Sequence, residues 1–114
     1  MNEIISSVQA LAEALHDSSL YAAYRGDLTR IKDNPALFER VLDFKKKQAA
    51  LEVKRLQHET VTFDEEKYIA HLYAELLQYE VAKSFLFSEK AFLEVYHQAM
   101  DILENAIEID VWLP

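Results

Sequence analysis

Only one glycine (Gly26) and two prolines (Pro35 and Pro114) interrupt these 114 residues. Helices in such a chain must end on polar caps, because the usual breakers are missing. The longest uninterrupted stretch also carries a seven-residue repeat. Phe85, Phe92, Ala99 and Ala106 form one set, and Ser88, Val95, Ile102 and Ile109 form the other. This is the a/d spacing of a helix that packs lengthwise against another helix.

The length fits one domain, residues 1–114, and half the residues are apolar, so a core can form without disulfide or metal support. With no cysteine in the chain, disulfides, thiolate metal sites and nucleophilic thiols are all excluded. The opening Met-Asn-Glu-Ile-Ile has neither the basic region nor the long apolar run of a secretion signal. No apolar run reaches the roughly 18 residues a membrane helix needs. These features predict a cytoplasmic protein with no membrane insertion. The formal charge is −8, from 12 basic and 20 acidic side chains. That balance weighs against direct nucleic-acid binding, which rewards basic surfaces. The exception is Lys45-Lys46-Lys47, with Arg40, Lys54 and Arg55 nearby. A solvated helix face explains this cluster better than a docking patch, since consecutive helical residues point in different directions.

Along the chain, Ile4, Ile5, Val8, Leu11, Ala12 and Leu15 form a first apolar stripe. Asp17, Ser18 and Ser19 interrupt it and offer a cap. Leu20, Tyr21, Tyr24, Leu28 and Ile31 form a second stripe that tolerates Gly26 within it. At Asp33-Asn34-Pro35, Asn34 suits the N-cap and Pro35 the first helical position, predicting a long helix over roughly 35–58. Residues 58–61 read as a turn. Thr62-Phe63-Asp64-Glu65 then fits a capping box. The apolar phase shifts near Gln78-Tyr79-Glu80, which predicts a kink or short break before a final helix over about 81–109, and Ser88 offers an alternative start within it. The expected fold is therefore all-α: an antiparallel helical bundle with a long helical hairpin (arms 35–58 and 63–109) and two N-terminal helices. The apolar tail, residues 110–114, holds Trp112 and Leu113. These either fold back on the bundle or form a handle for another chain.

No glycine-rich phosphate loop and no nucleophile elbow can be built from one glycine. Glu13-Ala-Leu-His16 and Glu94-Val-Tyr-His97 both match the Glu-x-x-His pattern that builds di-iron sites in four-helix bundles. At about 100° per residue, however, both glutamates and His97 point away from the apolar faces, so exposed polar residues are expected and no metal or other cofactor. His71 with Glu75 and His97 with Asp101 are four-spaced pairs that stabilise a helix without suggesting catalysis.

The order of segments carries a resemblance. A short helix leads to Ser18-Ser19-Leu20-Tyr21-Ala22-Ala23-Tyr24. An Asp-Asn-Pro break precedes Leu37, Phe38, Val41 and Phe44, and the last helix contains Phe85-Leu86-Phe87-Ser88-Glu89-Lys90-Ala91-Phe92. Over residues 4–110 this layout resembles the YlbF/YmcA control-of-competence family and its YheA-like relatives. The resemblance implies an all-helical adaptor without enzyme activity, acting in competence, sporulation and biofilm development. Its implied partners are related family members and a membrane-attached ribonuclease that processes RNA. Some members bind iron–sulfur clusters through cysteines, which this chain lacks. The family supplies no catalytic residues. Protein partners and a homo-oligomer are expected, with Phe87, Tyr96, Trp112 and Leu113 as the candidate contact surface. Two rival readings are a metal-binding bundle enzyme built on the Glu-x-x-His motifs and a purely structural homo-oligomer without a client.

Overall fold

The computed structural model describes residues 2–107. Five helices follow in order: α1 (Glu3–His16), α2 (Ser19–Lys32), α3 (Pro35–Leu56), α4 (Phe63–Leu76) and α5 (Glu80–Ala106). The fold is all-α, with no strand among the described residues.

Polar side chains cap the starts of four of the five helices. The Asn2 side chain accepts from the Ile4 N–H at 2.8 Å and opens α1. Ser18 serves two helices: its hydroxyl donates to the Leu15 carbonyl at 2.7 Å, closing α1, and accepts from the Tyr21 N–H, opening α2. Asn34 accepts from the Leu37 N–H and Pro35 occupies the first turn of α3. Thr62 and Glu65 form the capping box of α4 in both directions. α3 ends in a Schellman motif: the Glu59 N–H reaches the Lys54 carbonyl and the His58 N–H reaches the Arg55 carbonyl. This places His58 at φ 59°, in the left-handed region where glycine usually sits. The expected break falls at residues 77–79 and divides the second arm into α4 and α5, whereas Ser88 lies inside an unbroken α5.

The chain groups into two compact units, one of residues 26–86 and one combining residues 1–25 with 87–114. The unit of residues 26–86 is built on the α3–α4 hairpin. Its pairings run antiparallel: Lys54 meets Glu65, Phe44 meets Tyr73, and Arg40 meets Glu75. Leu37, Val41, Phe44 and Leu51 supply the buried stripe of α3, at spacings of three, four and seven. Leu76 of α4, Ile31 of α2, and Ala82, Phe85 and Leu86 of α5 complete the core. No polar side chain is buried among the described residues.

The other unit is built differently. Tyr21 and Tyr24 of α2 hold Phe92 of α5, with ring centres 5.0 and 6.0 Å apart. Phe92 is only half-buried, and no described residue of this unit is buried. The seven-residue repeat is thus covered at one end and bare at the other: Phe85 is buried, while Val95 is 39% and Ile102 70% exposed.

Gly26 lies on an exposed part of α2, and a Cβ added there meets nothing within 4 Å. Its backbone is helical, so alanine reduces unfolded-state freedom without strain. Gly26→Ala is expected to stabilise the protein by about 0.5–1 kcal/mol, measured by urea unfolding as a raised midpoint at unchanged slope.

Candidate protein-interaction surface

The sequence puts an apolar side chain in every third or fourth position of α1, yet that helix has no buried residue. Ile4 is 71% exposed, and Ile5 and Val8 are about half exposed. On α5, Leu93, Val95, Tyr96, Ile102 and Leu103 are exposed as well, and Ile107 follows just beyond its end. Each stripe has the amphipathic pattern of a packed helix but lacks a covering neighbour along most of its length.

Of the four candidate contact residues, Phe87 is 48% and Tyr96 40% exposed, both on the part of α5 that belongs to this unit. The Tyr96 ring meets His97 edge-on at 5.7 Å. Trp112 and Leu113 lie outside the described residues. Sequence reasoning missed Ile4, Ile5, Val8 and Ile102 as surface, because spacing marks an apolar face without naming what covers it.

The Glu-x-x-His residues do not converge. Glu13, His16, Glu94 and His97 are all exposed, and His16 Nδ1 lies 3.1 Å from the neighbouring Asp17 carboxylate. Among the described residues no group of three or more His, Asp or Glu side chains is placed to hold a metal ion.

The α3–α4 hairpin presents a contrasting surface of paired polar groups. Arg40 donates to the Tyr79 hydroxyl at 3.2 Å, lies over its ring and pairs with Glu75 at 3.6 Å. Lys47 pairs with Asp43 at 2.6 Å and sits 5.5 Å from the centre of the Tyr68 ring. Arg55 bridges Glu52 and Glu66. An open groove of about 690 Å³ runs beside Arg40, Asp43, Lys46 and Glu75. A smaller one of about 220 Å³ lies beside Lys47, Lys54, Glu65 and Tyr68. Lys46 and Lys47 thus face different grooves, and the lysine run does not form one cationic patch. The Lys54 ammonium, 2.8 Å away, holds the Glu65 carboxyl below its ordinary value, with help from the Thr62 backbone N–H. Lys54 is raised in turn, first by its hydrogen bond to Glu65. These groups are solvent-accessible, and ion pairs of this kind add little stability each.

No helix among the described residues is long and apolar enough to cross a membrane. A sequence model of the family described as "Control of competence regulator ComK, YlbF/YmcA" matches residues 4–108. The chain is 28% identical over 109 residues to a UPF0342 protein of Caldicellulosiruptor saccharolyticus, covering 96% of this chain and 91% of the relative. A UPF0342 protein of Symbiobacterium thermophilum is 26% identical over 102 residues, with 90% and 91% covered. A third, from Caldicellulosiruptor bescii, is 26% identical over 114 residues, with 98% and 96% covered. No solved structure matches the chain.

Because Glu65 binds its proton less tightly folded than unfolded, its contribution is complete above about pH 4.3, the ordinary glutamate value, and is lost as the pH falls through the lower folded value. Glu65→Gln keeps the capping box but removes the charge. The Tm difference between the native chain and this variant is expected to be widest near neutral pH and to close in acid. A difference that stays constant across that range contradicts the ion-pair assignment.

Proposed function

The chain belongs to the YlbF/YmcA family of competence-control regulators, and from that premise we propose that it is a non-catalytic adaptor working through protein–protein contacts. One observation carries the reading: the described residues of the unit 1–25 and 87–114 leave two amphipathic stripes uncovered, on α1 and on α5. Aqueous exposure of Ile4, Val8 and Ile102 is unfavourable, and a partner's apolar face relieves it. Tyr96 suits the centre of such a contact, because a tyrosine adds a large apolar area and one polar handle. Phe87, Tyr96, Trp112 and Leu113 are the residues assigned to this contact.

The family resemblance supplies the setting. It implies control of competence, sporulation or biofilm formation, with related family members and a ribonuclease complex as the partners, in the cytoplasm. The net charge of −8 fits protein partners better than direct contact with RNA. In this reading the chain alters a partner's assembly or substrate choice and adds no chemistry of its own. The rival di-iron reading lacks support from Glu13, His16, Glu94 and His97, all of which face solvent.

Affinity capture of the tagged chain from its native cell is the test. The components of a ribonuclease complex should be retained with the chain, and Tyr96→Ala should cut their recovery about fivefold without shifting the Tm. Capture of no ribonuclease component, or recovery insensitive to changes across this surface, overturns the adaptor reading.

A further inference from the structure

We propose that the row Leu93, Tyr96, Met100, Leu103 and Ile107 receives a basic amphipathic helix of another protein. The proposal names the partner's chemistry for the surface assigned above and rests on that reading. The row supplies the contact, and the carboxylates around it select the occupant.

The five side chains alternate spacings of three and four along α5 and just past its end, which makes them one continuous ridge. Leu93, Tyr96, Leu103 and Ile107 are exposed, and Met100 is part-buried. On one side the ridge borders Phe92, which Tyr21 and Tyr24 hold from within the same unit. A ridge of this spacing packs into the groove of a second helix. The unbranched Met100 at its middle adapts to the shape of the incoming side chains.

The other side of the ridge carries carboxylates. At about 100° per residue, Glu104 lies about 40° round from Met100, and Asp101 about 60° beyond it. Glu89 heads the ridge, four residues before Leu93. Lys90 is the one lysine or arginine between residues 87 and 107. Glu94, Asp101 and Glu104 hold no ion pair among the described residues. The helix end adds to this excess. α2 and α3 place lysine and arginine in their last turns, whereas α5 has no basic residue there and sets Glu104 against its own negative end. A partner's cation beside Glu104 offsets both the carboxylate and the last helix carbonyls.

The imbalance belongs to this unit. Residues 1–25 and 87–114 hold nine acidic and two basic side chains, against eleven and ten in residues 26–86. Seven of the net eight negative charges therefore sit in the unit whose apolar stripes are uncovered. The same charges disfavour other occupants of the ridge. A second copy brings its own Glu89, Asp101 and Glu104 to the rim, and RNA or an anionic bilayer brings phosphates. A helix with one apolar face and flanking lysines or arginines supplies the missing cover and the missing counterions together.

The probe is a synthetic peptide of leucine and lysine, about 18 residues long, with one apolar and one basic helical face. Its fluorescence anisotropy with the full chain should show binding that weakens at least about fivefold between roughly 50 and 300 mM salt. The same peptide with glutamate in place of lysine should bind at least about tenfold more weakly, and so should a scrambled peptide without an apolar face. Asp101→Asn combined with Glu104→Gln should lower affinity about fivefold, and Leu103→Ala about threefold, with helical circular dichroism unchanged. Glu52→Gln combined with Glu66→Gln removes as much charge from the hairpin and should leave affinity as it was. No binding of the basic peptide, equal binding of the scrambled one, or equal sensitivity to the two paired substitutions overturns the proposal. The capture experiment reads out separately: ribonuclease components retained by a chain that ignores the basic peptide would remove the basic helix and keep the adaptor.

Discussion

Phe44 stacks on Tyr73 with ring centres 5.5 Å apart, and this contact between α3 and α4 anchors the buried part of the molecule. Leu37, Val41 and Leu51 continue the same face of α3 toward each end of the hairpin. Pairs such as Lys54 with Glu65 and Arg40 with Glu75 fix the register from outside. Every buried apolar side chain among the described residues lies in 26–86. Apolar burial is the main force that offsets chain entropy, so the stability of this protein is concentrated in one unit. The other unit keeps its helices through caps, propensity and one aromatic cluster around Phe92.

That division shapes the functional reading. The surface of the hairpin is rich in charges that are already paired, and paired charges leave little to offer a partner. The unit of residues 1–25 and 87–114 has the reverse character, with apolar stripes open to water and carboxylates flanking them on α5. An adaptor needs a stable scaffold and a surface whose burial has been deferred, and the two units divide these requirements. On the adaptor reading proposed above, the exposed stripes of α1 and of the C-terminal half of α5 supply that surface.

Local signals in the sequence are legible because they act over a few residues. Asn34-Pro35, the Thr62–Glu65 box and the phase change at Gln78-Tyr79-Glu80 each mark a helix boundary, and each boundary appears where expected. The α3 stripe was equally legible, since Leu37, Val41, Phe44 and Leu51 all point one way. Burial was harder to read. Phe85 and Ile102 belong to one repeat, yet the first is enclosed and the second open. Periodicity defines a face and is blind to how far the covering helix extends. The left-handed His58 was hidden for a different reason: the residue gives no hint of positive φ, and the Schellman bonds that hold it depend on where α3 stops. The Arg40–Tyr79 contact joins residues 39 apart, a pairing that only the tertiary register determines. At the candidate surface, residue type alone points to Phe87 and Tyr96, while the spacing of Ile4, Ile5 and Val8 predicts a packed stripe.

Hydrogen exchange of the native chain in dilute solution tests the central claim most directly. In dilute solution the slowest amides should lie in residues 31–51 and 76–86, with α1 and residues 95–106 exchanging far faster. Equal protection of α1, the end of α5 and the hairpin would contradict the claim that burial is confined to one unit.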